Sequence, residues 1–251
     1  MEIVTLAFNR PDFIELQYNS LKKYVTDFNY VVYDNCPDDS VKQECERLGI
    51  KCIPIKLFSA DPSWVCGISL NKMWETLQYE FGTLVFIDPD MFLVDELPDM
   101  GDADFAFVPQ VRGEITYPWT GFMMFNMETL PHPEALKWHV DYSLKDTDVG
   151  GLNHYYLQEY KPKVLKLEMW TLIDRYKYSF NGGDILMGDP NHKVIQELVK
   201  DFPRPYSVDM LKVEDKPFFL FHYKSASNYP SFYTPEYNHL KTEALCKLLT
   251  A

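Results

Sequence analysis

The first ninety residues alternate between short apolar runs and helical patterns, and this alternation constrains the fold more than any other feature. Ile3-Val4-Thr5-Leu6-Ala7-Phe8 reads as a buried strand, broken at Asn9-Arg10-Pro11-Asp12. Pro11 or Asp12 opens a helix that runs to about Tyr24. Tyr30-Val31-Val32-Tyr33 is a second strand, stopped by the turn residues Asp34-Asn35-Cys36-Pro37. A helix over roughly 38–48 ends at Gly49, and Lys51-Cys52-Ile53-Pro54-Ile55 forms a third strand that Pro54 marks as an edge or a bulge. Ile68 to Tyr79 carries apolar residues at helical spacing, and Thr83-Leu84-Val85-Phe86-Ile87 is a fourth strand that runs into Asp88-Pro89-Asp90. Such a repeat builds a parallel sheet with right-handed crossovers. Ligands bind these sheets beyond the C-terminal strand ends, so Asn9, Arg10, Asp34, Asp88 and Asp90 are expected to converge on one edge.

The second half is less regular. Strands are expected at 105–108, 121–125, 164–167 and 218–222. Helices are expected from Pro133 to Leu144, from Gly151 to Tyr160, from Asp189 to about Lys200, and over about 236–249. The 251 residues suit one α/β domain or two tightly fused halves, with a mostly parallel central sheet flanked by helices.

Charge and cysteine usage narrow the function classes. A formal net charge of −13 repels phosphate backbones, which argues against a nucleic-acid partner. The five cysteines form no CxxC pair and are odd in number, a pattern of reduced thiols in the cytoplasm and not of a zinc site or disulfide framework. No apolar run approaches the ~18 residues of a membrane span, and Met1 to Phe8 lacks the basic and long apolar regions of a signal peptide.

Asp88-Pro89-Asp90 is the strongest chemical signal. Two acids set between Leu84-Val85-Phe86-Ile87 and Met91-Phe92-Leu93-Val94 are costly unless something compensates their charge. Both carboxylates reach one hard cation, Mn²⁺ or Mg²⁺, which in turn holds a diphosphate. A bare Asp-x-Asp is otherwise a solvated turn.

On these residues the chain resembles GT-A-fold glycosyltransferases, closest to small stand-alone bacterial or viral types. Ile87-Asp88-Pro89-Asp90-Met91-Phe92 is similar to their DxD segment, and Ile3–Arg10 with Tyr30–Asp34 to their opening strand, helix and strand. The resemblance covers about the first 130 residues well and the remainder loosely. It implies a GT-A-like single domain over 1–251, with 1–100 holding nucleotide and metal and 101–251 the acceptor. It implies metal-dependent transfer of a hexose or deoxyhexose from a nucleotide sugar, UDP-linked, to a glycan or small-molecule acceptor. Asp34 then contacts uracil or ribose, Asn9 and Arg10 flank the nucleotide, and Asn71 lies on a donor-binding helix. His222, ending the apolar strand Phe218–Phe221, becomes the third metal ligand, with Lys224 on the diphosphate.

Asp146 and Asp148, in Asp146-Thr147-Asp148-Val149-Gly150-Gly151, are the candidate catalytic carboxylates. Each serves equally well as the N-cap of the following helix. The Glu-Asp pair of many inverting GT-A enzymes is absent, which leaves the base and the stereochemistry open. Two rival classes remain. A nucleotidyltransferase normally carries a Gly-rich basic loop after its first strand, and Phe8-Asn9-Arg10-Pro11 has no glycine. A non-catalytic sugar- or nucleotide-binding module would bind donor without turnover.

Overall fold

The computed structural model describes residues 1–144, 147–173, 186–187, 207–223 and 235–250. Strand and helix alternate through the first ninety residues: β1 (Glu2–Ala7), α1 (Pro11–Tyr24), β2 (Asn29–Asp34), α2 (Ser40–Leu48), β3 (Lys51–Pro54), α3 (Pro62–Leu77) and β4 (Thr83–Ile87). β1 pairs in parallel with β2 and β4, and β2 with β3. Helix α1 turns Phe13, Ile14, Gln17 and Leu21 inward at the three- and four-residue spacing of one helical face. Helix α3 starts six residues before its apolar periodicity does, because Asp61 caps it by accepting from the Trp64 N–H at 3.0 Å and Pro62 sits in its first turn.

β6 (Phe105–Arg112) and β7 (Ile115–Asn126) form a hairpin longer than the two expected strands. β7 pairs antiparallel with β4, and β8 (Val164–Lys166) pairs in parallel with β6. The seven-stranded order is β3-β2-β1-β4-β7-β6-β8, in which four of six neighbouring pairs are parallel. A second, five-stranded sheet was not legible in the sequence. It joins β5 (Met91–Leu93), β9 (Glu168–Ile173), β10 (Leu186–Met187), β11 (Ser207–Lys212) and β12 (Phe218–His222) in the order β10-β9-β11-β12-β5. Helices α4 (Asn153–Tyr160) and α5 (Pro235–Thr250) complete the described elements. The helix expected from Asp189 lies outside the described residues. No helix among the described residues is long and apolar enough to cross a membrane, and all five cysteines are free.

The helix expected over Pro133–Leu144 is absent. Only a 3-10 turn at Pro133–Ala135 forms, after which the chain runs extended from Leu136 and buries Trp138 completely. Tertiary partners satisfy the backbone here in place of helical ones. The Trp138 N–H donates to Asn71 Oδ1 (2.9 Å), the Lys137 N–H to Asn153 Oδ1 (2.7 Å), and the Trp138 carbonyl accepts from the Gly150 N–H (3.1 Å). Trp138 then stacks among Trp74, Phe86 and Phe125 in the core on one face of the large sheet. Gly67 on α3 admits this segment, since a Cβ there would lie 2.8 Å from both His139 Cα and the Trp138 carbonyl oxygen.

Gly67→Ala must therefore push rigid backbone aside. The expected cost is about 1–3 kcal/mol, read by urea denaturation. A variant as stable as the parent would contradict the close approach.

Candidate active site

Asp88-Pro89-Asp90 is the turn by which the chain leaves the large sheet at β4 and enters the small one at β5. Its backbone is anchored on every side. The Met91 N–H closes the turn onto the Asp88 carbonyl (3.1 Å), the Asp88 N–H donates to the Gly121 carbonyl (2.8 Å), and the Asp90 carbonyl accepts from the Tyr223 N–H (2.8 Å). Fully buried Gln17, on α1, donates from Nε2 to the carbonyls of Asp88 (2.7 Å) and Met91 (2.8 Å), and the Tyr30 hydroxyl fixes its amide by donating to Oε1 (2.5 Å). A polar residue on the apolar face of α1 was the available signal for Gln17.

Strand register brings His222 to this turn. His222 pairs with Met91 across β12 and β5, and with Asp209 across β11 and β12. Its Nε2 lies 3.5 Å from Asp90 Oδ1 and its Nδ1 2.8 Å from Asp209 Oδ2. All three are buried, with exposures of 3% for Asp90, 6% for His222 and 1% for Asp209. Burial by itself would lower the His222 pKa. The Asp90 charge and the hydrogen bonds to Asp209 and Asp90 outweigh it and push the value up to about 9. Burial, followed by the Asp90 charge, pushes Asp88 well above the carboxylate range, while His222 pulls it back. Asp209 carried a signal that the sequence reading passed over: a lone acid inside the apolar run Val208-Asp209-Met210-Leu211.

The Trp119 ring lies beside His222, with centroids 5.4 Å apart. It folds back over Gly121, where a Cβ would come within 2.4 Å of the indole. Side-chain bulk at 121 would thus displace the aromatic wall next to the histidine.

A cavity of about 260 Å³ opens in front of the turn, and its lining includes Phe8, Asn35, Phe58, Cys66 and Asp88. Asp34, 1% exposed, stands behind it with both oxygens engaged: Oδ1 accepts from the Cys36 N–H (2.8 Å) and Oδ2 pairs with Lys56 Nζ (2.8 Å). Lys56, which the sequence reading missed, also donates to the carbonyls of Cys36 and Asp38 and so stitches together the loop after β2. Asn35 holds the cavity wall by accepting from the Leu57 N–H (2.6 Å). Asn9 adopts left-handed backbone (φ 56°) and places Oδ1 3.7 Å from Cys36 Sγ, beside the same loop.

Two other expected nucleotide residues are engaged elsewhere. Arg10 forms a two-point pair with Asp12 (2.8 and 2.6 Å), donates to Thr242 of α5 (2.9 Å) and lies 3.5 Å over the Phe13 ring. Asn71 serves the Trp138 segment from both ends of its amide, with Nδ2 3.1 Å from His139 Nδ1. Asp148 turns its carboxylate back to accept from the Val149 N–H (2.8 Å), and its own N–H donates to the Tyr117 hydroxyl (3.2 Å). Burial, then the charges of Asp88 and Asp148, raise the pKa of the Cys66 thiol, which lines the cavity. Asp146 and Lys224 lie outside the described residues.

The donor chemistry, two carboxylates and an imidazole, suits Mn²⁺ or Mg²⁺. Asp90 and His222 are neighbours, but among the described residues no three His, Cys, Asp or Glu groups converge tightly enough to hold an ion.

No protein-family model matches the chain, and no curated protein matches it in sequence. Solved structures do. The galactosyltransferase LgtC, crystallised in complex with donor and acceptor sugar analogues, superposes with a TM-score of 0.54 over 100% of this chain and 95% of that chain, at 12% identity. A looser match is to an active-site mutant of LgtC, with a TM-score of 0.39 and 14% identity over 64% of this chain and 65% of that one. The first likeness establishes the fold: a GT-A-like α/β architecture with a mostly parallel central sheet.

Asp88→Asn is expected to stabilise the metal-free protein at pH 7 by on the order of 1 kcal/mol, since the raised pKa of Asp88 is a cost of folding it ionised. The sign follows from linkage. A carboxyl with a raised folded-state pKa binds its proton more tightly in the native state, so its contribution falls as pH rises from the ordinary carboxylate range through the raised value. Urea denaturation in EDTA from pH 5 to 8 checks this: the advantage of Asn should widen with pH, and a less stable variant would contradict the partial burial of Asp88 beside Asp90.

Proposed function

We propose that the chain is a glycosyltransferase that moves a hexose from a nucleotide sugar, UDP-linked, to a glycan or small-molecule acceptor. Mn²⁺ or Mg²⁺ would be held by Asp88, Asp90 and His222, where it supplies charge for the departing diphosphate. The observation that supports the reading is the approach of His222 Nε2 to Asp90 Oδ1 (3.5 Å) at the Asp88-Pro89-Asp90 turn, beside a cavity that Asp88 lines, in a GT-A-like sheet. The galactosyltransferase activity of the structural neighbour agrees with it.

Residues 1–100 form the nucleotide and metal half. Asn9 and Asn35 face the nucleoside, while Asp34 contributes by holding Lys56 and the loop after β2. Arg10 and Asn71 brace the site from behind, through α5 and the Trp138 segment. The acceptor half, 101–251, contributes Asp148, whose negative charge favours positive charge developing on the transferred sugar or takes the acceptor proton. Asp146 and Lys224 keep the roles of a second acid and a diphosphate contact. Five free cysteines fit work in a reducing compartment, the cytoplasm.

Thermal unfolding against a panel of nucleotide sugars, with and without Mn²⁺, tests donor and metal together. A ligand at 100 times its Kd adds about 2.7 kcal/mol, and mass spectrometry of the products reads transfer. Stabilisation by UDP-sugars only when Mn²⁺ is present is expected. Equal stabilisation in EDTA would remove the metal from the reading, and donor binding without any transfer or hydrolysis would leave a binding module.

Asp148→Asn is expected to lower turnover by ~10²-fold while the affinity for UDP with Mn²⁺ stays within twofold. Unchanged turnover with a loss of about 1 kcal/mol in stability would make Asp148 a loop-capping residue.

A further inference from the structure

We infer that Asp209 is a positioning residue for the metal site: it fixes the ring and tautomer of His222 so that Nε2, and not Nδ1, is offered to a divalent cation. The inference rests on the proposed role of His222 as a ligand and extends it to a residue from a different strand.

The geometry leaves His222 little choice. Asp209 and His222 are directly opposed in the antiparallel β11–β12 pair, and opposed residues on one face are close enough for their side chains to meet. Asp209 Oδ2 takes the Nδ1 edge at 2.8 Å, which leaves the Nε2 edge facing Asp90 Oδ1 at 3.5 Å. Trp119 flanks the ring at 5.4 Å and limits its swing. A carboxylate accepts only from a protonated nitrogen, so a proton kept on Nδ1 makes Nε2 the lone-pair nitrogen once a cation takes its place there. Imidazole ligands are commonly oriented in this way through their second nitrogen, and loss of the orienting carboxylate typically weakens metal affinity 10–100-fold. Asp209 is 1% exposed. Burial of a carboxylate at that depth is costly without partners, and His222 is one that the register supplies.

The test is Asp209→Asn, with Mn²⁺ binding measured by calorimetry in excess UDP, alongside parent and His222→Ala. An amide can turn its NH₂ toward Nδ1, which favours the tautomer whose Nε2 carries the proton. The Kd for Mn²⁺ is expected to rise 10–100-fold, with turnover largely recovered at saturating Mn²⁺ and UDP affinity unchanged there. A purely structural role would lower stability without a loss that extra Mn²⁺ restores, so an unchanged Mn²⁺ affinity in Asp209→Asn overturns the inference. Parent and His222→Ala binding Mn²⁺ equally overturns the ligand role and this inference together, a distinct outcome.

If the variant does not fold, the parent protein answers by ¹⁵N-histidine NMR, with UDP and Cd²⁺ as a diamagnetic probe. Nδ1 of His222 should stay protonated while Nε2 shifts on Cd²⁺ addition. Cd²⁺ at Nδ1, or an unprotonated Nδ1, overturns the inference.

Discussion

Burial of Asp90 against His222, with Asp209 behind the ring, is the constraint around which the rest of the structure is arranged. Removing carboxylates from water costs several kcal/mol each unless partners are in place. The partners come from strands far apart in sequence, so the small sheet must adopt one register for the cluster to be satisfied. A one-residue slip of β12 would turn His222 to the opposite face and strand two acids in the interior. The same turn carries the chain from one sheet to the other, and Gln17 and the Gly121 carbonyl hold its backbone rigid. A turn so fixed presents its side chains at set positions, as ligands for a cation require.

The surroundings follow from that anchor. Gly121 leaves room for Trp119 beside His222, and its carbonyl also accepts from Asp88, so one residue serves both the aromatic wall and the acid turn. Asn35, in the loop after β2 that Lys56 stitches together, lines the cavity along with Asp88. The loop that carries Asp148 is tied through Gly150 to the buried Trp138 segment, which in turn requires Gly67 on α3. Packing and site are thus linked from the aromatic core to the acids.

Much of this was legible in the sequence where order along the chain and order in space coincide. The β1–β4 alternation, the edge position of β3 with Pro54, and Asp88-Pro89-Asp90 past an apolar strand follow from local periodicity and the cost of buried charge. The small sheet was not legible, because it is assembled from β5 and strands more than seventy residues downstream, and pairing at that distance leaves no local signature. Pro133–Leu144 misled for the complementary reason: its apolar spacing fits a helix, but the amides of Asn71 and Asn153 capture its backbone. Arg10 follows β1, where a nucleotide contact is expected, and a salt bridge to Asp12 and a hydrogen bond to α5 fix its position. Asp209 and Gln17 did leave a trace, each a polar residue at an apolar position, and the compensation argument applied to Asp88 and Asp90 extends to them.

As proposed, Asp88, Asp90 and His222 form one cation site for a nucleotide sugar. The most direct measurement is an anomalous-difference map at the manganese edge from crystals grown with Mn²⁺ and UDP. A single strong peak bonded to Asp88, Asp90 and Nε2 of His222, and touching the diphosphate, is the expected result. Bound UDP with no peak there, or a peak held by other residues, would contradict the account.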